Sequence, residues 1–338
     1  MNQSSIPTPS RRQLLQWLPA AAAWAAAPAW AQAAAADGLP KPALSSYRFL
    51  VGFGAGGIPD AAARLIAATI SERWKLPAVV ENKTGVGGTL AAKTVLAAPA
   101  DGSTLLSVSP AHVTAPAVFS TPGYDTLRDF VPVTLIGDGP ALIVAPGNLP
   151  AKNLAEMVAQ AKARPGSLSY SSAGVGSSSH FAAALFCQQA GIDAVNIPYK
   201  SVGEAMTETI AGRVQFHIAP YVSAAAMVKE GKVRALAVTS PRRIAEMPDV
   251  PTVAEAGVPG YEWSFWYGLL ASAKTPAPVV AQLNKDITGI LRLPQVKKQL
   301  ETMGVAVAAS TPAEFQKLIE AEVAKYARIA KAANITPQ

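Results

Sequence analysis

The sequence Gly52-Phe53-Gly54-Ala55-Gly56-Gly57-Ile58-Pro59-Asp60 is a glycine-rich turn between a predicted strand and a predicted helix. It follows the short apolar run Tyr47–Val51 and precedes apolar residues at helical spacing. Glycines permit a tight turn and let a ligand approach the backbone closely. The free N–H groups at a helix start, at the positive end of the helix dipole, attract carboxylate or phosphate. We therefore predict an anion-binding turn here.

Strand and helix signals alternate on both sides of this turn. The predicted strands are Tyr47–Val51, Ala78–Val80, Thr104–Val108, Val131–Gly137, Ala141–Ala145, Ser167–Ser171, Ala194–Tyr199, Val214–Ile218 and Ala235–Thr239. The predicted helices start at Pro59 and Asn153 and span Thr89–Ala98, His180–Ala190, Gly203–Ala211, Ala224–Glu230, Pro276–Leu291 and Pro312–Ala333. Asn153 with Glu156 matches an N-cap with its glutamate, and Thr311 with Glu314 matches a capping box. This alternation favours an α/β protein with parallel sheets covered by helices on both faces.

Length and composition narrow the class of protein further. The 338 residues are enough for two domains, and with 50% apolar and only 15% charged residues the chain is not intrinsically disordered. Cys187 is the only cysteine, which excludes a disulfide scaffold. The net charge is +7, but the basic residues are scattered, which argues against nucleic-acid binding and is compatible with small anionic ligands.

Two chain crossings are predicted between the domains. One lies at Gly137–Pro140 and the other near Pro248–Pro251. Domain 1 is then discontinuous and consists of residues 44–137 plus 252–338, and domain 2 consists of residues 138–251. Opposing anion-binding helix starts on two domains predict a clamp with a small-molecule site in the cleft between them.

The first 33 residues have the features of an export signal. Arg11-Arg12 precedes an apolar stretch from Leu18 to Trp30, and small residues near Ala31 and Ala33 form two candidate cleavage sites. The arginine pair suggests the twin-arginine route, and an ordinary signal that contains two arginines is the alternative. Either route places the mature protein outside the cytoplasm.

Three further turns are candidates for ligand contact. Ser171–His180 lies between a strand and a helix, and its hydroxyls and amides could hold an anion; a flexible serine-rich loop is the alternative. Lys200, in the turn Tyr199–Glu204, could supply charge or could be a solvated lysine beside a helix cap. In Ser109–His112, the histidine could contact a ligand or be an ordinary loop residue.

Other chemistries find less support. Gly52-x-Gly54-x-x-Gly57 fits a dinucleotide-binding fingerprint, and Glu81 stands where a ribose-binding acid is expected, so an exported nicotinamide-dependent oxidoreductase is the main alternative. The three histidines lack the spacing of a metal site, and we expect no metal, no cofactor and no catalytic residues. The aromatic residues of the segment Tyr261–Tyr267 are expected in the core, with the mouth of a cleft as the alternative.

Ordered motifs along the chain resemble the Bug family, the substrate-binding proteins of tripartite tricarboxylate transporters. They include Leu50–Phe53 with Gly56-Gly57 and Asp60, Val80–Lys83, Pro99–Gly102, Asp129–Val133, Pro198–Lys200, Gly231–Thr239, Pro248–Thr252 and Gly268–Ala271. The resemblance extends from about Tyr47 to Ile335.

The resemblance implies a two-lobed periplasmic binding protein of type II, monomeric and not an enzyme. Such a receptor binds a small organic or aromatic carboxylate between its lobes and delivers it to a membrane permease. Backbone amides and hydroxyls hold the carboxylate. The residues expected to contact it are Phe53, Gly56, Gly57, Ile58, Asp60, Ser109, His112, Gly176, Ser177, Ser178, Ser179, Lys200 and Tyr221.

Three positions depart from the family pattern. Gly52 stands where proline is usual, and it creates the dinucleotide-like match. Pro59 replaces a small polar residue and cannot donate an N–H. Ala219-Pro220-Tyr221 stands where an acidic segment is common, so a carboxylate that would bind an amine is missing. We therefore expect a ligand without a charged amino group; if it is an aromatic acid, we expect Tyr221 to lie against its ring.

Overall fold

The computed structural model describes residues 42–337, in which strands and helices alternate. The strands are β1 (Tyr47–Val51), β2 (Ala78–Asn82), β3 (Thr104–Val108), β4 (Phe130–Pro146), β5 (Leu168–Ser172), β6 (Ala194–Pro198), β7 (Phe216–Pro220), β8 (Val233–Val238), β9 (Ser264–Ser272) and β10 (Ala306–Val307). The helices are α1 (Ile58–Trp74), α2 (Thr89–Ala97), α3 (Ala111–Val118), α4 (Leu154–Ala163), α5 (Ser178–Ala190), α6 (Val202–Ile210), α7 (Tyr221–Lys229), α8 (Ala277–Leu291), α9 (Pro294–Thr302) and α10 (Pro312–Ala332), with a 3-10 turn at Val86–Gly88. The predicted export signal lies outside the described residues.

The strands form one mixed sheet with the order β2-β1-β3-β9-β4-β7-β5-β6, and β8 and β10 also pair with β4. β1 runs parallel to β2 and β3, and β5 runs parallel to β6 and β7. Antiparallel pairs of β9 with β3, and of β4 with β9 and β7, join these two groups. The prediction of parallel sheets is confirmed for β1–β3 and for β5–β7, and it is wrong for β4 and β9, which run against their neighbours.

Strand β4 belongs to both halves of the sheet. Its first part, Phe130–Pro140, pairs with β9, and its second part, Ala141–Pro146, pairs with β7 and β8. We call the half that contains β1–β3, β9 and β10 the first lobe, and the half that contains β5–β8 the second lobe. The domain boundaries at residues 137/138 and 251/252 stay a prediction.

The prediction of separate strands at Val131–Gly137 and Ala141–Ala145 is wrong, because β4 continues through Gly137-Asp138-Gly139-Pro140. These glycines do not form a turn. A Cβ on Gly137 would lie 2.2 Å from the oxygen of Ala306, and one on Gly139 would lie 2.1 Å from the oxygen of Gly304. Glycine is therefore needed here for the close approach of β10 and the turn before it.

Strands β9 and β10 and helices α3 and α9 were not predicted from the sequence. β9 is buried along nearly its whole length, so it lacks the polar and apolar alternation of a half-buried strand. The expectation that the aromatic segment lies in the core is confirmed, because Tyr261, Trp263, Phe265, Trp266 and Tyr267 are all buried.

The helix starts agree with their predicted capping residues. Asn153 caps α4 by accepting a hydrogen bond from the amide of Glu156, and Thr311 and Glu314 form the expected capping box of α10. α7 begins three residues earlier than predicted, which makes Tyr221 its first residue. No helix between residues 42 and 337 is long and apolar enough to cross a membrane.

Candidate functional site

The predicted ligand-contact turns lie at one edge of each lobe's sheet. In the first lobe, the parallel strands β1, β2 and β3 end at Val51, Asn82 and Val108, so the turns that follow them share an edge. In the second lobe, β5, β6 and β7 are parallel and bring together the turns after Ser172, Pro198 and Pro220. Open α/β sheets bind ligands outside the carboxyl ends of their strands.

The glycine-rich turn of the first lobe leads into α1. Gly57 is the N-cap of α1 in an extended conformation. Because glycine has no side chain, no side-chain hydrogen bond caps this helix. The amides of the first helical turn lack intrahelical acceptors, and Pro59 has no N–H, so Ile58 and Asp60 carry the amides at this end. Gly56 and Gly57 are exposed and Ile58 is half-buried, so this backbone is accessible to a ligand.

The Asp60 carboxylate organises this turn from within. Its Oδ2 accepts hydrogen bonds from the amide of Gly56 at 2.9 Å and from Nε of Arg64 at 3.0 Å. Its Oδ1 accepts one from Nδ2 of Asn82 at 2.9 Å. Burial raises the pKa of Asp60, but the hydrogen bonds from Arg64, Gly56 and Asn82 outweigh it and hold the pKa below its usual value.

Asn82 and Arg64 were not among the predicted site residues, although both belong to this network. Nδ2 of Asn82 donates to the carbonyl of Phe53 at 3.0 Å, and Oδ1 of Asn82 accepts from Arg64 at 2.9 Å. Asn82 ends β2 beside the end of β1, and this neighbouring position in a parallel pair is the signal that could have indicated its role.

Glu81 forms an ion pair with Arg48 of the neighbouring strand β1. Under the dinucleotide alternative, Glu81 is expected to bind the ribose. Its two carboxylate oxygens accept hydrogen bonds from Arg48 at 2.6 and 2.8 Å. The guanidinium of Arg48 lowers the pKa of Glu81. The pair links β2 to β1, so Glu81 has a structural partner and the oxidoreductase alternative finds no support at this residue.

A narrow cavity lies at the edge of the first lobe. It is lined in part by the backbone of Gly52, Gly87 and Gly88 and by Phe53, Ser109 and His112. A Cβ on Gly52 would lie 2.5 Å from the Cα of Gly88, so the residue that departs from the family pattern allows two glycine turns to touch.

His112 is a buried residue of α3 rather than a loop residue, with 5% of its surface exposed. Its ring stacks on Tyr124, with centroids 5.5 Å apart and planes 7° apart, and meets the edge of Phe130 at 5.0 Å. Within the described residues, Nε2 of His112 has no hydrogen-bond partner. Burial lowers the pKa of His112 to about 3, so the imidazole is neutral near pH 7.

The serine-rich turn of the second lobe is internally hydrogen-bonded. Oγ of Ser177 caps α5 by accepting from the amide of His180 at 3.3 Å, and it lies 3.1 Å from Oγ of Ser179. Oγ of Ser179 in turn accepts from the amide of Ala173 at 3.0 Å. Two of the three predicted hydroxyls are thus used to shape the turn.

The first amides of α5 remain to bind an anion. Oγ of Ser178 is buried and faces the hydroxyl of Tyr326, without a well-formed hydrogen bond in the described part of the chain. The amides of Ser178 and Ser179 are in the first turn of the helix, where no intrahelical acceptor exists. Nδ1 of His180 accepts from the amide of Gly176 at 3.2 Å, and burial lowers the pKa of His180 to about 4, so this ring is a neutral support for the turn.

Contact between Gly176 and Val118 joins the two predicted walls of the site. A Cβ on Gly176 would lie 2.7 Å from Cγ1 of Val118, the last residue of α3. α3 begins at the Ser109–His112 turn of the first lobe. Helix α10 packs against both α3 and α5 and supports both walls.

Lys200 and Tyr221 lie at the same edge of the second lobe but in different surroundings. The Lys200 side chain is exposed, and its amide donates to Glu204 at 3.0 Å beside the Ser201 cap of α6. Tyr221 is half-buried and packs against the apolar core of the second lobe. A Cβ on Gly304 would lie 3.0 Å from Cδ1 of Tyr221, so this ring also lies against the turn before β10.

Comparison with solved structures identifies the class of this fold. The chain is 33% identical to Rpa4515 of R. palustris, solved with adipate, over 87% of this chain and 98% of that one, with a TM-score of 0.80. It is 31% identical to the periplasmic binding protein BugD over 87% of this chain and 99% of that one, with a TM-score of 0.76. It is 32% identical to MatC of Rhodopseudomonas palustris, solved with malate, over 84% and 98% of the two chains, with a TM-score of 0.75. The fold is therefore that of a two-lobed periplasmic binding protein.

Residues 62–335 match the model of the tripartite tricarboxylate transporter family receptor. The chain belongs to this family, as the motifs indicated, and to its Bug group of receptors. This is a family of periplasmic solute receptors, and the dinucleotide alternative is not supported. Residues 1–61 lie outside the matched range, and the glycine-rich turn is part of that segment.

Proposed function

We propose that this protein is a periplasmic receptor, not an enzyme, that binds a small carboxylate between its lobes and delivers it to a tripartite tricarboxylate-type permease. The observation that carries the proposal is the placement of two glycine- or serine-rich turns. Each lies at a helix N-terminus at the carboxyl edge of its lobe, α1 in the first lobe and α5 in the second. Both helix starts favour an anion.

The two walls contribute different donors to the carboxylate. In the first lobe we assign the exposed backbone of Gly56, Gly57 and Ile58, with Phe53 beside it and Ser109 and His112 on the next turn. In the second lobe we assign the turn from Gly176 to Ser179, where Ser178 is the first residue of α5. Asp60 acts indirectly, since its oxygens already hold the first turn.

The lobes close by bending where the chain crosses between them. We propose that residues 44–137 plus 252–338 move as one body and residues 138–251 as the other. A ligand that touches both walls stabilises the closed form by its higher affinity for that form. Lys200 and Tyr221, at the same edge as the serine-rich turn, are proposed to meet the part of the ligand that the two anion-binding turns do not hold.

The proposed ligand carries no charged amino group. The segment Ala219-Pro220-Tyr221, where β7 ends and α7 begins, offers no carboxylate of its own. In the first lobe, the Asp60 carboxylate is occupied by Arg64, Asn82 and the Gly56 amide. An ammonium group in the cleft would therefore lose its hydration without gaining an anionic partner from these residues.

The test is thermal unfolding of mature protein that has been unfolded and refolded to remove bound ligand. The panel contains adipate and malate, the ligands of two structural relatives, together with aromatic acids and NAD. Ligand binding to the folded state raises the Tm by mass action. We expect a rise with at least one carboxylate and none with NAD; a rise with NAD alone would contradict the proposal.

Matched pairs then test the absence of an amine site. Succinate is compared with aspartate, and glutarate with glutamate, by isothermal titration calorimetry. Each pair differs by one ammonium group, so the difference in affinity isolates the cost of placing that charge in the cleft. We expect the amine-free member to bind more tightly in both pairs. Tighter binding of aspartate or glutamate would refute this part of the proposal.

A further inference from the structure

His112 has two properties that a purely structural histidine does not need. His112 is one of the residues that line the cavity at the edge of the first lobe, and its Nε2 is buried and finds no hydrogen-bond partner among residues 42–337. Leaving a buried polar atom unpaired costs free energy, so a missing partner is expected to come from water or from a ligand.

The surroundings hold the His112 ring in one orientation. The ring is stacked on Tyr124 on one face and meets the edge of Phe130, and Oγ of Thr126 donates to its backbone carbonyl at 3.4 Å. A fixed ring presents its nitrogens in fixed directions, which is the arrangement that a recognition group needs.

The cavity beside His112 is of atomic size. Its free volume is about 10 Å³, which is close to the space that one water molecule occupies. One carboxylate oxygen has a similar size. The lining residues in the described part of the chain include one titratable side chain, His112, and otherwise glycine backbone, apolar groups and serines.

We infer that His112 is a specificity-determining residue, whose neutral imidazole donates its Nε2 hydrogen to one oxygen of the ligand's carboxylate. This inference rests on the proposed function and names a side-chain donor for it. The low pKa of His112 agrees with a neutral donor. The cavity then recognises the carboxylate by hydrogen bonds and shape, without a cationic side chain.

A neutral donor set has a consequence that distinguishes it from an arginine or lysine site. Attraction between a carboxylate and a cationic side chain weakens as salt screens it. A hydrogen bond from an uncharged imidazole and from backbone amides depends much less on salt. We therefore expect the affinity for acetate to change less than about threefold between 50 and 500 mM sodium chloride.

The experiment uses acetate, the smallest carboxylate with a methyl group, and the refolded mature protein labelled with 15N. The H112Q variant assigns the His112 ring signals by their loss. Acetate at 100 mM should shift the Nε2 signal of His112, and the free ring should show the tautomer with hydrogen on Nε2. The signals of His217, which lies outside this cavity and outside the assigned turns, should stay in place.

Variants provide the second measurement. H112L removes the donor and should weaken acetate binding about 10- to 100-fold, the range for a hydrogen bond to a charged group. H112Q keeps an uncharged N–H donor and should bind within about threefold of the unmodified protein. Y124F removes a hydroxyl from the same stack, keeps its ring, and should leave binding unchanged.

Each of three results would overturn the inference that His112 donates a hydrogen bond to the carboxylate. If acetate shifts the amides of Gly56 and Gly57 but leaves the His112 ring and the affinity of H112L unchanged, then backbone binds the carboxylate alone and the inference is wrong. If H112Q binds as weakly as H112L, His112 acts through packing and not as a donor. If acetate shifts neither group while adipate or malate also gives no thermal stabilisation, the proposed function fails together with it.

Discussion

At the scale of single residues, the Asp60 carboxylate links three parts of the chain, because it accepts hydrogen bonds from the Gly56 amide, Arg64 and Asn82. The change D60N replaces one acceptor oxygen by an NH2 group that faces donors. We expect the free energy of unfolding to fall by about 1–3 kcal/mol, the cost of leaving buried hydrogen-bonding groups unpaired. Carboxylate affinity should fall as well, because the Gly56–Ile58 backbone loses its support.

The control is D101N, at the opposite edge of the same lobe. Oδ1 of Asp101 accepts from the amide and hydroxyl of Ser103 at 2.9 and 2.7 Å, just before β3 begins. Thermal unfolding and calorimetry with the best acid of the panel compare the two variants. D101N should lower the thermal stability slightly and leave the affinity for the acid unchanged. An equal loss of affinity in D60N and D101N would show that destabilisation of the lobe, and not a change in the glycine-rich turn, weakens binding.

Local signals explain why some single residues could be predicted. Asn153 and Thr311 act through atoms three residues away, so their capping roles can be inferred from sequence alone. The partners of Asp60 include Asn82, 22 residues away on another strand, and this contact depends on strand pairing. The sequence placed Asp60 in the glycine-rich turn. It could not show that the carboxylate oxygens of Asp60 already accept hydrogen bonds from Gly56, Arg64 and Asn82.

At the scale of elements, strands β1 and β3 were predicted with their correct ends because turn residues bound each of them. β4 was divided wrongly because Gly137-Asp138-Gly139-Pro140 has the composition of a turn. In the folded chain these glycines accommodate the backbone of residues 304–306, a contact over more than 160 positions. A glycine-rich segment can therefore form a turn in one place and, in another, allow two backbone segments to lie unusually close together.

The contact between α3 and the serine-rich turn gives a prediction at this scale. G176A places a Cβ 2.7 Å from Cγ1 of Val118 at a residue whose φ is +79°. We expect the free energy of unfolding to fall by about 2–4 kcal/mol. Part of this loss comes from the strained backbone conformation of an alanine at this φ, and part from overpacking against Val118. Ligand affinity should fall too, because the turn that carries Ser178 must shift.

The matched control is G257A, which has a φ of +103° and no atom within 4 Å of the added Cβ. It carries the backbone cost without the clash. A double-mutant cycle with V118A isolates the contact: V118A should be less destabilising in the G176A background than alone. Strict additivity of the two changes in urea unfolding would contradict a direct contact between these residues.

At the scale of the whole molecule, the sequence could place the candidate turns at common edges because each of them follows a strand of a parallel group. Parallel strands place their ends at a common edge, so Gly52–Asp60 and Ser109–His112 had to lie close together. The division of labour within the turns could not be predicted. That Ser177 and Ser179 support the turn while Ser178 faces Tyr326 depends on side-chain directions that only the folded helix start fixes.

Buried histidines couple the stability of the molecule to pH. Burial lowers the pKa of His112 to about 3 and the pKa values of His180 and His217 to about 4, against an ordinary value of about 6.5. Below pH 6.5 the unfolded chain therefore binds more protons than the folded protein. Stability should be constant above about pH 7 and fall as the pH decreases, by up to about 1.4 kcal/mol per pH unit for each histidine.

Urea unfolding at pH 8, 7, 6 and 5 measures this slope. Asp60, whose pKa lies below its usual value, loses its stabilising contribution only at lower pH, so the histidines dominate this range. His217 provides the test variant, because its Nδ1 lies 2.7 Å from the carbonyl of Ser171 and Asn can retain that hydrogen bond. H217N should reduce the slope between pH 6 and 5 by about one third, the share of one histidine among three. Equal stability of the unmodified protein at pH 7 and pH 5 would show that these histidines are not held neutral by the fold.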